Sequence, residues 1–261
     1  MEAATIAAAV LSARRRGPPY APLPPDIAPR TLEEGLAAQV ALARMLDADP
    51  PAGFKIGATA AGMRAYLGLG HPLAGFMPRD GLVASGSVLD WTGAPLGVEC
   101  EIGVRLARDL PAGPCDAARA REAVGDVFAA IEIVENRYGP PPVGDLKLVG
   151  PAGLLADQVF HHGGVLGRPA ADWRALDLAA VAGRMCVDGQ EVGHGVGADL
   201  LGEPMAALAW LAGSAEAAAF GGLREGQVVL LGSVTPPIWL AGPCTVDVAF
   251  AGLGEATVRF A

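Results

Sequence analysis

The spacing of hydrophobic positions changes near residue 52, and the change divides the chain into two textures. Before it, apolar residues recur at helical intervals. Thr5–Arg15 reads as a first helix, followed by a proline-punctuated turn through Pro18–Pro29. Thr31 and Glu34 then form a capping box, whose hydroxyl and carboxylate satisfy N–H groups left open at a helix start. Leu32, Leu36, Val40, Ala43 and Leu46 share one face of this second helix, and Pro50-Pro51 stops it.

From Ala52 onward apolar residues fall in short runs cut by glycine and proline, the texture of strands. Strands are predicted at Gly53–Ile56, Leu96–Leu106, Val127–Val134, Val228–Leu231, Thr245–Phe250 and Ala256–Phe260. Met185–Val187 and Gln190–Val192 flank Asp188-Gly189, which tolerates the positive φ of a two-residue hairpin turn. Two later helices are predicted. One covers Ala117–Val124; the other runs from Pro204 at its first position to Phe220, with Gly221-Gly222 beyond. The strands neither alternate regularly with helices nor repeat at sandwich spacing. The pattern supports an α+β fold in a single domain, 1–261: a helical region over 1–51 and a mixed β core over 52–261.

Composition sharpens this picture. At 261 residues, 52% hydrophobic and 18% charged, the chain can build a sizeable core and is not disordered. No apolar run reaches the roughly 20 residues of a membrane helix. A net charge of −9 argues against nucleic acid, whose phosphates need a surplus of Lys and Arg on one face. The basic cluster Arg14-Arg15-Arg16 ends the first helix, where cations complement the helix dipole. Cys100, Cys115, Cys186 and Cys244 form no C-x-x-C pair, which fits reduced thiols in the cytoplasm. The first apolar stretch precedes its arginines, the reverse of a signal peptide.

Three segments carry candidate chemistry. In Gly97–Leu106, strand alternation sends Glu99 and Glu101 to one face, with Cα atoms roughly 7 Å apart. A solvent-facing edge strand would tolerate that repulsion, but the flanking Val98, Ile102, Val104 and Leu106 describe a strand with little exposed surface. In Phe128–Arg137, Glu132 stands between Ile131 and Ile133; buried there, it must be protonated, paired or metal-bound. A salt bridge to Arg137 or Lys147 is the structural alternative. Three such carboxylates suit Mg²⁺ or Mn²⁺, hard ions that prefer oxygen ligands. Zinc is less suited, because adjacent His161 and His162 would point apart and no H-E-x-x-H is present. In Gly53–Thr59, Lys55 lies within an apolar strand, where desolvation would lower its pKa and fit it for proton transfer. The competing reading is a lysine reaching from an edge strand to water.

The glycine-rich stretches Gly68-Leu69-Gly70 and Gly193–Gly197 do not give G-x-G-x-x-G between a strand and a helix; they read as turns, and no nucleotide cofactor follows. His194 reads as a solvated loop residue. Cys100, between the two glutamates, should face the opposite side and pack. Trp210 and Leu211 read as core or interface.

Taken together, GFKIGAT, VECEI, AIEIVENR, ADQVFHHGGVLG and DGQEVGHGVGADLLGEPMAALAWL…LREGQVVLLGSVT resemble the 2-keto-4-pentenoate hydratases of the fumarylacetoacetate hydrolase superfamily. The resemblance runs in order from about Thr31 to Phe260. It implies a mixed sheet rolled into a barrel-like core, an N-terminal helical region and homo-oligomers, with pairing to a decarboxylase of the same family as a further partner. It puts metal ligands at Glu99, Glu101 and Glu132, the active-site lysine at Lys55 and an acidic active-site residue at Asp80. Ser233, Thr235 and Arg137 fall where substrate contacts are expected. Relatives often read D-N-A-S where this chain has Asp157-Gln158-Val159-Phe160, and Pro78, Arg79 and Gly81 around Asp80 are atypical.

The implied chemistry is hydration of a 2-hydroxy-2,4-dienoate, or its 2-oxo tautomer, to a 4-hydroxy-2-oxo acid during aromatic-compound breakdown. A cation chelated by the C1 carboxylate and C2 oxygen would stabilise the enolate. Lys55 would carry the proton, Asp80 would help orient or deprotonate water, and Lys55 or Arg137 would offset surplus negative charge. Within enzymes, the rivals are a decarboxylase of a 2-oxo-3-enedioate and an acylpyruvate hydrolase. The hydrolase needs an extra base, often a histidine, and the N-terminal half offers only His71. Outside enzymes, the rival is a non-catalytic binding or assembly subunit of the same fold.

Overall fold

A computed structural model describes residues 2–16, 21–139 and 145–261; the start of the predicted Pro18–Pro29 turn, through residue 20, lies outside them. Helices α1 (Ala3–Arg14) and α2 (Leu32–Met45) lead to β1 (Gly53–Gly57), α3 (Ala61–Leu67) and β2 (Leu73–Met77). Next come β3 (Leu82–Ala84), β4 (Ser87–Leu89) and the long β5 (Leu96–Leu106). Helix α4 (Ala117–Ala123) runs directly into β6 (Val124–Glu135), followed by α5 (Leu146–Ala156) and β7 (His161–Leu166). The hairpin β8 (Ala182–Val187) and β9 (Gln190–Val196) precedes α6 (Pro204–Ala212) and α7 (Ala215–Ala219). Strands β10 (Val228–Ser233), β11 (Ile238–Trp239), β12 (Thr245–Phe250) and β13 (Gly254–Phe260) end the chain.

The larger sheet has the order β2-β1-β10-β5-β6-β7-β3, with β11 also paired to β5. Six inter-strand spacings in a flat sheet would hold its edges roughly 29 Å apart. Yet β2 and β3, the two edges, are joined by residues 78–81 alone, a step of five residues that spans at most about 18 Å. The sheet must curl. This is the barrel-like core that the resemblance implied. A second sheet, β4-β13-β12-β8-β9, packs beside it, and Ile6, Val10 and Leu42 of the N-terminal helices join the same hydrophobic core as Val246 and Val258.

Strand alternation sorts the inside of the curl into layers. Met77, Phe128, Ala130, Val228 and Leu230 form an apolar layer of their own. Space for it comes from Gly103: a Cβ there would lie 2.3 Å from the Phe128 ring. The charged residues of β1, β5 and β6 stack above this layer.

Local sequence explains where the elements differ from expectation. The predicted 204–220 helix is two helices, because Ser214 accepts the N–H of Ala217 at 3.1 Å and starts α7 afresh. The glycines of Gly193–Gly197 do not form a turn; residues up to Val196 continue strand β9. Close packing keeps them small: a Cβ on Gly195 would sit 2.1 Å from the Val234 carbonyl after β10, and one on Gly197 1.8 Å from the Leu178 carbonyl. Arg14 does more than complement a helix dipole. Its guanidinium donates to Asp157 Oδ1 at 2.9 and 2.6 Å and ties α1 to the end of α5.

Gly103→Ala should lower unfolding stability in urea by about 1–3 kcal/mol through overpacking. Gly62→Ala, in α3 with open space at its Cβ, should instead raise it by up to about 1 kcal/mol. Equal stability of the two variants would contradict the layered interior.

Candidate metal centre

Strands β5 and β6 pair antiparallel with Glu99 opposite Glu132 and Glu101 opposite Ala130. Alternation turns all three glutamates into the curl. One carboxylate oxygen from each lies within 4.8 Å of the others. Glu101 and Glu132 are fully buried, while Glu99 is half-buried. Neither strand is an edge, since β5 lies between β10 and β6, so a solvated-edge explanation of the E-x-E pair fails.

Lys55 enters from β1, also an interior strand, and is 2% exposed. Its ammonium lies 3.1 Å from Glu132 Oε1 and donates to the Val159 carbonyl at 3.0 Å. The expected fall in its pKa is not what the surroundings produce. Burial does pull the ammonium down, but Glu132, Glu99 and Glu101 together outweigh it and leave the pKa above its ordinary value.

The carboxylates respond in the same sense. Burial, aided by the charge of Glu132 and opposed by Lys55, pushes Glu99 up to about 7. Burial is also the main reason that Glu101 and Glu132 are raised. Glu101 Oε2 accepts the Gly232 N–H at 2.7 Å, and Glu132 Oε1 takes Lys55. Their other oxygens, Glu101 Oε1 and Glu132 Oε2, are buried without a hydrogen-bond partner. Three converging oxygen donors with two orphaned atoms fit a hard divalent cation. Three carboxylates and one ammonium sum to a formal −2, the charge such an ion would balance.

His161 is the residue that sequence reasoning missed. Its Nδ1 lies 3.0 Å from Glu132 Oε1, and burial, followed by Lys55 and Arg137, holds its pKa well below the ordinary value. With the proton on Nδ1, the ring donates to Glu132. The pair His161-His162 did carry a signal: adjacent strand residues face opposite ways, and His161 is buried while His162 is exposed.

The alternative partners expected for Glu132 are engaged elsewhere. Arg137 pairs with Asp157 at 3.3 Å and with Glu135 at 3.3 Å, and the Lys147 ammonium lies 4.5 Å from the Tyr66 ring centre.

A cavity of about 520 Å³ opens onto Glu99. Ser233 and Thr235 line it, together with Met63, Pro236, Pro237 and Asp199. Ser233 Oγ is fixed by the N–H groups of Cys100 at 3.1 Å and Thr235 at 3.2 Å. Asp199, not singled out from the sequence, sits in the GADLL stretch after β9, where the glycines bring that hairpin against Thr235.

Two expected site residues are not brought to this cavity. Asp80 is exposed on the 78–81 connection, whose Arg79 lines a separate concavity with Arg105 and Arg224. Arg137 is buried and drawn away by Asp157. Of the residues set aside, Cys100 packs in the core as expected. Leu211 is also core, and Trp210 packs against it. His194 is exposed on β9 and bonded to Glu191 at 3.0 Å.

Comparison with known proteins gives a consistent answer. Residues 63–261 match the fumarylacetoacetate hydrolase C-terminal family. The chain is 30% identical over 250 residues to 2-hydroxyhexa-2,4-dienoate hydratase of Comamonas testosteroni, covering 92% of this chain and 90% of that protein. It is 32% identical over 214 residues to 2-keto-4-pentenoate hydratase of Burkholderia vietnamiensis, covering 80% and 77%. Among solved structures, 4-oxalocrotonate decarboxylase from Pseudomonas putida G7, complexed with magnesium and adipate, superposes with a TM-score of 0.88 at 24% identity. That match covers 99% of this chain and 97% of the other, and it establishes the shared fold. The chain belongs to the fumarylacetoacetate hydrolase family.

Proposed function

We propose that this protein is a divalent-metal-dependent hydratase. It adds water to a 2-hydroxy-2,4-dienoate, or the 2-oxo-4-enoate tautomer, to give a 4-hydroxy-2-oxo acid. The observation that carries the reading is the cluster of Glu99, Glu101 and Glu132, with Lys55 beside it, behind a cavity of substrate size. The hydratases of similar sequence support it.

In this reading the three glutamates hold Mg²⁺ or Mn²⁺. When bound, the cation supplies electrostatic stabilisation to the negative charge that develops at the C2 oxygen as the double bonds migrate. Ser233 and Thr235 orient the substrate through their hydroxyls. Lys55, fixed by Glu132 and the Val159 carbonyl, holds the proton that is delivered along the carbon chain. Asp80 is left out of the reading because it is exposed and does not line the cavity.

The cavity wall favours hydration over its rivals. No Arg, Lys or His lines the cavity among the described residues, and its outer acid is Asp199. Arg64 stands at its edge, but its guanidinium is taken up by the Ala58 and Thr59 carbonyls, so a second substrate carboxylate would find no free cation in the lining, which disfavours a 2-oxo-3-enedioate decarboxylase. An acylpyruvate hydrolase would need a histidine base in the cavity, and His161 stands behind the lining with its Nδ1 against Glu132 Oε1 at 3.0 Å. A non-catalytic subunit would have no reason to retain three buried carboxylates, each of which is expensive to desolvate. The reading includes a cytoplasmic homo-oligomer. Its support is the family resemblance and, for the compartment, four free cysteines.

Incubation with Mg²⁺ and either 2-hydroxypenta-2,4-dienoate or 2-hydroxyhexa-2,4-dienedioate tests the assignment. The expected result is loss of dienol absorbance with water addition to the monoacid; CO₂ release from the diacid as the main activity would overturn it. Chelation or Glu101→Gln should abolish turnover with the circular-dichroism spectrum retained, and Lys55→Ala should lower kcat by about 10²- to 10⁴-fold with a smaller effect on metal affinity. Full activity after chelation would remove the metal from the chemistry.

Stability should also depend on pH in a defined direction. Glu99 titrates near 7 in the folded chain against an ordinary value of 4.5, so the folded state binds more protons between those limits. Its contribution to stability is present below about pH 4.5 and lost as pH rises through 7. Metal-free protein should therefore melt lower at pH 8 than at pH 5.5, and Mn²⁺ should raise Tm more at pH 8. A larger Mn²⁺ effect at pH 5.5 would contradict the carboxylate site.

A further inference from the structure

Three consecutive residues other than glycine, Gln158, Val159 and Phe160, have φ of 53°, 52° and 65°. Left-handed backbone is disfavoured for L-residues and most of all for a β-branched one such as Val159. Such a turn persists only where its surroundings over-determine it. Here they do. Arg137 Nη1 donates to Asp157 Oδ1 at 3.3 Å, and Nη2 of the same guanidinium donates to the His161 carbonyl at 2.6 Å. One planar group thus spans the turn from its first residue to its last. Asp157 is fully buried and is held a second time by Arg14. Gln158 Nε2 donates to the Phe76 carbonyl at 2.7 Å, and the Gln158 carbonyl sits where a Cβ on Gly75 would lie, 2.3 Å away.

What this turn presents is the reason to ask about its role. Its middle residue offers the Val159 carbonyl to Lys55 at 3.0 Å, and its last residue offers the His161 ring to Glu132 at 3.0 Å. Beside the Lys55–Glu132 pair itself, one further contact to each of the two comes from these five residues.

We infer that Arg137 is a positioning residue: by stapling Asp157 to the His161 carbonyl it holds the left-handed turn that aims Lys55 and Glu132. The inference rests on the reading of Lys55 and the three glutamates as the active site. It replaces the expected role of Arg137 as a substrate contact, since its guanidinium has no place in the cavity lining. Arginine suits the task where lysine does not, because its rigid fork presents two donors in one plane, whereas an ammonium on a flexible stem reaches one end of the turn at a time.

Arg137→Lys keeps a cation beside Asp157 but loses the span. With wild type and variant both folded by circular dichroism, two quantities are read: steady-state kinetics on 2-hydroxypenta-2,4-dienoate, and Mn²⁺ affinity from the free-ion electron paramagnetic resonance signal. Expected are a fall in kcat of about tenfold to a hundredfold with KM within about threefold, and Mn²⁺ binding weakened by roughly tenfold. A merely structural ion pair would lower the melting temperature and leave both quantities unchanged for the folded protein, and that result overturns the inference. So does a rise in KM with kcat unchanged, which would return Arg137 to substrate binding. If Arg137→Lys does not fold, Arg14→Gln removes the other partner of Asp157 and should shift kcat and Mn²⁺ affinity the same way by a smaller factor; wild-type values for both would equally overturn it. Wild-type protein that neither binds Mn²⁺ nor turns over the dienoate refutes the site itself, a failure distinct from that of the staple.

Discussion

Everything in the curled sheet answers to one constraint: three carboxylates share one space, two of them fully buried and the third at the mouth of a cavity. At 4 Å and an effective dielectric near 20, each like-charged pair costs about 4 kcal/mol, comparable with a large part of the stability of a domain. One ammonium among them relieves only part of this. The remainder shows in the carboxyl pKa values, with Glu99 pushed up to about 7 and Glu101 and Glu132 raised as well. A divalent cation relieves the same strain without protons. If the three glutamates hold a cation as proposed, proton binding and metal binding compete for the same oxygens, and His161 steadies one carboxylate at 3.0 Å.

The curl is what brings these groups together. Lys55 and Glu132 stand 77 positions apart in sequence, on strands separated in the sheet by β10 and β5. In a flat sheet their side chains would not meet. Rolling the sheet turns one face inward, so that residues of matching alternation on separated strands converge across the interior. The interior glycines belong to the same solution. At Gly103 and Gly75 the absent Cβ admits, respectively, the Phe128 ring and the Gln158 carbonyl, and the charged layer then rests on a filled apolar layer rather than on a void.

The charged strand positions were legible because they break a pattern. A glutamate between two isoleucines, or a lysine inside GFKIG, stands out against apolar alternation, and the parity of Glu99 and Glu101 follows from backbone geometry alone. The helix cap at Thr31 and the Asp188-Gly189 hairpin were legible for a similar reason, since both are local chemistry, although the Glu34 carboxylate accepts the Arg30 N–H instead of closing a capping box. What escaped notice is non-local. Arg14 and Asp157 are 143 residues apart, and nothing at either position announces the other. The left-handed turn at 158–160 carries no glycine or asparagine to mark it, because tertiary contacts impose it against local preference. Asp80 came from the resemblance alone, in atypical surroundings; its exposed position on the 78–81 connection follows from the short step between the sheet edges, which only the rolled topology reveals.

Floor and wall of the site come from different kinds of structure, and this has a chemical consequence. The floor, Lys55 with the three glutamates, stands on interior strands of a packed sheet, where a change of charge disturbs every neighbour. The wall at Met63, Pro236, Pro237 and Asp199 is built by α3, the chain after β10 and the segment after the β8–β9 hairpin, all at least partly exposed. Wall positions can therefore change polarity without a comparable electrostatic penalty. A fold of this kind can keep one means of stabilising an enolate while the lining of its cavity selects the substrate. Under the proposed function, which reaction follows is set by whether the distal end of the substrate meets a cation, a base or neither. On that reading the lining of this cavity is more informative about substrate than the buried glutamates, which different reactions can have in common.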